Sequence, residues 1–370
     1  MSTRKIHLIA AARPNFMKVA PLYRILRTEP WAKPVMVHTG QHYDFNMSDS
    51  FFADLELPDP DFHLGVGSGS HAEQTGRIMM AYEKLCTEES PDLVIVVGDV
   101  NSTMACTLVA AKLEVTVAHL EAGLRSFDRS MPEEINRLVT DALADILWTP
   151  SPDADENLLR EGIPPPKIQR VGNIMIDSLE MLRPKIAGQK AYLDFATQPR
   201  EYALVTLHRP SNVDVPEKLH DLCQMLVELS RITTLIFPVH PRTLKNLKSW
   251  HMLEFLQSIP SVRLSDPLPY SRFMNLLFNA RFAVTDSGGI QEETTYLGIP
   301  CFTLRENTER PITITQGTNC LTDVSKVIAD VTSVLRGNSK PSHIPELWDG
   351  HTAVRVVSSI HTFFDRKALN

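Results

Sequence analysis

Leu93-Val94-Ile95-Val96-Val97-Gly98-Asp99-Val100-Asn101-Ser102 is the stretch that decides the fold. Five apolar residues run without polar alternation, as in a strand buried on both faces of a parallel sheet; a strand with one wet face would alternate. Gly98-Asp99 ends the run, and residues 102–113 continue as a helical pattern. Strand, turn, helix is the repeating unit of a parallel α/β sheet. Toward the N-terminus the unit recurs as a strand over 6–10, a helix over 14–27 with Met17, Leu22, Ile25 and Leu26 inward, and a strand over 35–38. Toward the C-terminus come strands over 116–120 and 145–149.

The pattern then restarts. Tyr202-Ala203-Leu204-Val205-Thr206 opens a second set, continued over 235–239, 262–264 and 282–285. The expected architecture is α/β, with two Rossmann-like, doubly wound parallel-sheet domains over 1–174 and 175–349, the break falling between 174 and 200. A last helix over 350–367 places Val354, Val357, Ile360 and Phe364 on one face and is a candidate to pack back on the first domain. In such sheets ligands sit beyond the carboxyl ends of the strands, so the residues at those ends are the ones to read.

Bulk properties narrow the classes. The chain has 370 residues, a net charge of −7 and 43% hydrophobic residues. That suits two ordinary globular cores. No Lys/Arg run makes a nucleic-acid footprint, and no stretch approaches the roughly 18 apolar residues of a membrane span. Five scattered cysteines without CxxC spacing read as free thiols, and no secretory leader is apparent, so a cytoplasmic location is expected.

At the strand ends, Asp286-Ser287-Gly288-Gly289-Ile290-Gln291-Glu292-Glu293 opens a helix that should stop at Gly298. Gly288 and Gly289 let a ligand approach the backbone, the helix start suits a phosphate, and Ser287 adds a hydroxyl. Glu293, one turn in, is placed to accept from a ribose hydroxyl. Arg13-Pro14, with Lys18 nearby, offers cations for a pyrophosphate. Asp99, Glu121 and one of Glu133 or Glu134 gather carboxylates at one sheet edge, where like charges can push one group toward acid and another toward base. His208 and His240 end strands of the second set and are acid/base or donor candidates. No histidine spacing such as HExxH joins a third ligand, so no metal is expected. The turn before Tyr270 puts Leu268 and Phe273 where they can frame a flat base.

Together these strings resemble the non-hydrolysing UDP-N-acetylglucosamine 2-epimerase family over nearly the whole chain. The marks are Arg13-Pro14 with Lys18, Gln41-His42, Gly98-Asp99, His119 to Arg125, Pro132 to Arg137, Gly172-Asn173, His208-Arg209, Pro238-Val239-His240, Asp286 to Glu293 and Thr308 to Pro311. The resemblance implies a GT-B fold with the active site between two domains, usually in a homodimer. It implies elimination of UDP from C1 with loss of the C2 proton, then re-addition to the glycal with C2 protonated from the other face. The matching acid/base positions are Asp99, Glu121, Glu133 and His208. The matching nucleotide contacts are Arg13, Lys18, Phe273, Ser287, Gly288, Gly289, Glu293 and Arg310, with Leu268 acting through its backbone; His240 is kept as a substrate contact. No cofactor is implied. The partner that the resemblance implies is a UDP-sugar.

The chain departs from the family at three places. Ala11-Ala12-Arg13-Pro14-Asn15 stands where the pattern usually reads Gly-Thr-Arg-Pro-Glu. Tyr43-Asp44-Phe45-Asn46-Met47 differs from the members that bind a second UDP-sugar nearby. The loop between Arg125 and Pro132 is short by about two residues in the spacing of the flanking motifs. A 2,3-diacetamido uronic acid nucleotide is therefore an alternative substrate. A hydrolysing epimerase, a GT-B glycosyltransferase and a non-catalytic UDP-sugar sensor are the competing classes.

Overall fold

The computed structural model describes residues 3–40, 52 and 55–369. Gln41-His42 and the segment 43–47 lie outside the described residues. The chain divides into two compact units, Met1–Met181 with Glu346–Asn370, and Leu182–Pro345. The division lies inside the helix Ile174–Gly188, within the expected range of 174 to 200. The Gly172-Asn173 pair immediately precedes that helix.

The first unit holds a sheet of β1 (Arg4–Ala10), β2 (Ala32–His38), β3 (Phe62–His63), β4 (Leu93–Val97), β5 (Thr116–Leu120), β6 (Ile146–Thr149) and β7 (Ile168–Arg170). Its order is β3-β2-β1-β4-β5-β6-β7 and every pair is parallel. β4 and β5 are buried at all five positions, as the unbroken apolar run requires of a strand covered on both faces. The second unit holds β8 (Tyr202–Thr206), β9 (Thr234–Pro238), β10 (Val262–Ser265), β11 (Phe282–Thr285), β12 (Cys301–Leu304) and β13 (Asn319–Thr322), ordered β10-β9-β8-β11-β12-β13 and again all parallel. Its core is the cluster built on Val205, Phe237, Phe282 and Phe302 with Leu222, Leu226 and Leu229 of the helix Pro216–Ser230.

The last helix, Thr352–Leu369, belongs to the first unit. Asp177 accepts hydrogen bonds from Thr352 N at 3.1 Å and Ala353 N at 2.8 Å, satisfying two of the helix's orphan donors. Its buried stripe is Ala353, Val356, Val357, Ile360 and Phe364. Val354, expected on that face, is exposed: it falls one position outside the 3-4 spacing that the others keep. Among the described residues no helix is long and apolar enough to cross a membrane.

Candidate active site

Both sheets reverse their strand order at one point, between β1 and β4 in the first unit and between β8 and β11 in the second. At such a reversal the loops from neighbouring strands part and leave a crevice beyond the strand ends. Arg13, Asp99 and Glu121 follow β1, β4 and β5, whereas His208 and Ser287 follow β8 and β11. The site residues therefore divide into one group on each unit.

In the first unit, Asn15 stitches the crevice. Its Oδ1 accepts from Ala12 N at 3.1 Å, and its Nδ2 donates to the Val97 carbonyl at 3.0 Å. The amide thus joins the turn after β1 to the end of β4, which a glutamate, having no donor, could not do. Half-buried Arg13 opens the helix Arg13–Leu26. Lys18, expected at the mouth as a phosphate cation, is buried and ion-paired to Glu121 Oε2. Burial of one charge beside the other requires that pairing. Glu121 sits at φ +72°, a left-handed conformation costly for a side-chain-bearing residue. Its Oε1 is buried and meets no hydrogen-bond partner among the described residues. An oriented carboxylate with one oxygen held by an ammonium and the other unoccupied is equipped to take a proton from a bound molecule. Gly98 lets this arrangement form: it has φ +67°, and a Cβ there would lie 2.8 Å from Lys18 Nζ.

Asp99 is one-third exposed and paired through Oδ2 with Arg137 Nη1 at 2.6 Å. Arg137 Nη2 reaches Glu134 Oε2 at 2.8 Å. The two glutamates of the motif now separate. Glu134 is buried, and its carboxylate accepts from Ser126 N at 2.9 Å, Phe127 N at 3.0 Å and Arg137, so it braces the loop and the arginine. Glu133 is exposed in the first turn of the helix Pro132–Leu143.

In the second unit, Asp286 is fully buried at the end of β11. It accepts from His208 N at 3.0 Å, Arg209 N at 2.9 Å and Asn212 Nδ2 at 3.1 Å. His208 Nδ1 lies 3.1 Å from its Oδ1. Burial pushes the Asp286 carboxyl up, but the bonds to His208, Arg209 and Asn212 outweigh it and hold the group below the usual carboxylate range. An ionised Asp286 makes His208 Nδ1 the donor of that pair. The His240 ring lies 5.3 Å from that of His208. Its Nδ1 accepts from Arg242 N at 3.2 Å as the cap of the helix Pro241–Ser249. Partial burial, then the neighbouring His208 and Arg242, lower its basicity.

Ser287 precedes the helix Gly288–Leu297, and Ser287, Gly288 and Gly289 are half-buried at its start. A Cβ on Gly288 would lie 2.8 Å from both Arg310 Nη1 and Glu309 Oε1, so these side chains would have to shift from the helix start to admit one. Arg310 is held by Glu292 at 2.9 Å and by Glu309. Glu293 is buried with Oε1 accepting from the Tyr270 hydroxyl at 2.8 Å. Burial, with Glu292 adding to it, pushes its carboxyl up to about 8 against that hydrogen bond. Leu268 and Phe273 are half-buried on either side of Tyr270. Among the described residues no group of three His, Cys, Asp or Glu side chains could hold a metal ion.

The strand ends are legible in the sequence, whereas the orienting roles are not: Asp286 shows only as part of the run from Asp286 to Glu293, Arg137 only as the end of the run from Pro132, and Glu134 only as one of two carboxylate candidates. The signal for Asp286 was a carboxylate at the end of a buried strand one sheet-neighbour away from the His208 strand, which needs the strand order to be read.

A profile of the UDP-N-acetylglucosamine 2-epimerase family matches residues 24–361. The UDP-N-acetylglucosamine 2-epimerase of Methanocaldococcus jannaschii is 41% identical over 362 residues, covering 95% of this chain and 98% of that protein. The UDP-2,3-diacetamido-2,3-dideoxy-D-glucuronate 2-epimerase of Pseudomonas aeruginosa is 37% identical, covering 92% and 98%. The crystal structure of the M. jannaschii enzyme in complex with UDP-GlcNAc and UDP superposes with a TM-score of 0.86 at 40% identity, covering 96% of this chain and 99% of that one. With those neighbours the two doubly wound sheets are of the GT-B class. The chain is a member of the UDP-N-acetylglucosamine 2-epimerase family.

Proposed function

We propose that this protein interconverts UDP-N-acetylglucosamine and UDP-N-acetylmannosamine without a cofactor, by elimination and re-addition of UDP. Family membership along nearly the whole chain carries this reading. The site chemistry supports it. In the forward half-reaction the C2–H and C1–O bonds break, giving a glycal and UDP. In the return half-reaction UDP re-forms the C1–O bond and C2 takes a proton on its other face. Two faces need two proton-transfer groups, and Asp99, Glu121 and Glu133 are the carboxylates available for them in the first unit, with His208 in the second. The developing diphosphate charge is assigned to Arg13 and to the backbone N–H groups at Ser287–Gly289 with Arg310. Glu293 is assigned to the ribose, and Leu268 and Phe273 to the base. Lys18, already paired with Glu121, is assigned to tuning that carboxylate as well as to the diphosphate.

The 37% identity to a diacetamido-glucuronate epimerase favours one second reading, the same reaction on a UDP-2,3-diacetamido uronic acid. Incubating the protein with each UDP-sugar and following the mixture by proton NMR tests both. The expected result is the C2 epimer of the UDP-linked sugar with no free sugar. Release of free N-acetylmannosamine and UDP would make the protein a hydrolase, and no change in either substrate would defeat the reading.

A further inference from the structure

His119 stands in the middle of β5 with no exposed surface, opposite Val96 of β4 and Leu147 of β6. A polar ring there is costly unless both nitrogens find partners. Both do. Nδ1 lies 2.6 Å from Asp141 Oδ1, and Nε2 lies 2.8 Å from the Gly98 carbonyl oxygen. A carbonyl oxygen only accepts, so Nε2 carries a proton. Asp141 accepts through Oδ2 from Gly123 N at 3.0 Å and lies 2.7 Å from Arg125 Nη1. Burial pushes the Asp141 carboxyl up, but His119, Arg125 and the Gly123 N–H together hold it below its ordinary range. Asp141 thus backs Nδ1, and the Nε2–H points at the Gly98 carbonyl. Arg125 is in turn bound by Glu161, with Nε to Oε1 at 2.7 Å and Nη2 to Oε2 at 2.6 Å.

The Gly98 peptide is clamped at both ends by β5. Its N–H donates to the Leu120 carbonyl at 3.2 Å, and its carbonyl accepts from His119. The next residue is Asp99, whose own carbonyl accepts from Asn136 at 2.9 Å. We propose that His119 is a positioning residue for the reaction: its Nε2–H, locked on the Gly98 carbonyl and backed by Asp141, holds the Gly98-Asp99 turn so that the Asp99 carboxylate is presented for proton transfer. The proposal rests on the reading of Asp99 as a proton-transfer group. Asp141 also holds Gly123, two residues beyond Glu121, so one buried carboxylate braces the turns after both β4 and β5.

Two substitutions divide the ring's two bonds. In His119→Gln the amide nitrogen replaces Nε2 and keeps the donor to Gly98. In His119→Asn it replaces Nδ1 and keeps only the donor to Asp141. The account expects kcat within about tenfold of wild type for His119→Gln and a loss of about a hundredfold for His119→Asn, with UDP affinity by calorimetry unchanged in both. In the Asp99→Asn background the His119→Asn effect should largely vanish, because the two act as one unit. Equal kcat in the two variants, or full additivity with Asp99→Asn, would overturn the positioning role. Nitrogen NMR of the labelled wild-type protein needs no variant: a protonated Nε2 is expected for His119, and an Nε2 without its proton would overturn the proposal even where a variant fails to fold. Wild-type protein that shows the Nε2 proton yet does not epimerise its UDP-sugar would instead strike at the proposed function, and the role assigned to His119 would fall with it.

Discussion

At Gly98 a single methyl group would press on the Lys18–Glu121 pair. Alanine at φ +67° costs about 1–2 kcal/mol, and its Cβ would meet Lys18 Nζ at 2.8 Å, displacing the ammonium from Glu121. Gly98→Ala is expected to lose at least about tenfold in kcat while remaining folded by circular dichroism; wild-type turnover would show that the Lys18–Glu121 pair is not needed. Glu293 gives a residue-scale pH signature. Below about 4.3, the ordinary glutamate value, the carboxyl is neutral in both the folded and unfolded chain. Between there and about 8 the unfolded chain ionises while the folded one keeps its proton. Folding then binds a proton, so this group's contribution to stability is present at low pH and declines as pH rises through that window. Glu293→Gln should remove the decline, raising Tm relative to wild type more at pH 8 than at pH 5; parallel Tm curves would contradict it. Sequence reasoning read these positions unevenly. The place of Asp99, Glu121 and Ser287 after their strands was legible because strand ends are legible. The separation of exposed Glu133 from buried Glu134 was not, since both occupy one helical turn and only the packing around Ser126 and Arg137 tells them apart.

At the scale of elements, the strands with continuous apolar runs were found with their bounds nearly intact: β4, β5, β8 and β11 coincide with the expected ranges. β12 and β13 were not anticipated. Cys301–Leu304 and Asn319–Thr322 are four residues each and mix polar with apolar side chains, and their strand character comes from pairing with β11 and with each other. β3, two residues long, carries even less local signal. The helix Gly288–Leu297 was legible at both ends, from the Ser-Gly-Gly start and from Gly298, which caps it at φ +69°. Its start is the element on which nucleotide binding depends in this account. Gly288→Ala would thrust a Cβ against Arg310 and Glu309 and is expected to raise the Kd for UDP by about tenfold or more, roughly 1.4 kcal/mol. An unchanged Kd by calorimetry would remove that helix start from the phosphate site.

On the scale of the whole molecule, the candidates sort by unit. Asp99, Glu121 and Glu133 belong to Met1–Met181, and Ser287, Gly288, Gly289, Glu293 and Arg310 to Leu182–Pro345. That sorting predicts a division of labour. Asp99→Asn and Glu121→Gln should each lower kcat by about 10² to 10⁴ and leave UDP affinity within about twofold of wild type. A parallel loss of UDP affinity would mean that these carboxylates hold the nucleotide. The repeated strand order was legible only in part. Two runs of alternating strands and helices announce two parallel sheets, but the reversal between β1 and β4, and again between β8 and β11, is a property of pairing. It is what gathers Asn15 against Val97 and His208 against Asp286.

The central claim is that a C–H bond at C2 breaks and re-forms. Running the reaction in deuterated water to equilibrium tests it most directly. The account predicts deuterium at C2 in the newly formed epimer and, with time, in the recovered substrate, with the sugar still linked to UDP. An epimer that keeps its original C2 hydrogen, or deuterium found only in released free sugar, would contradict it.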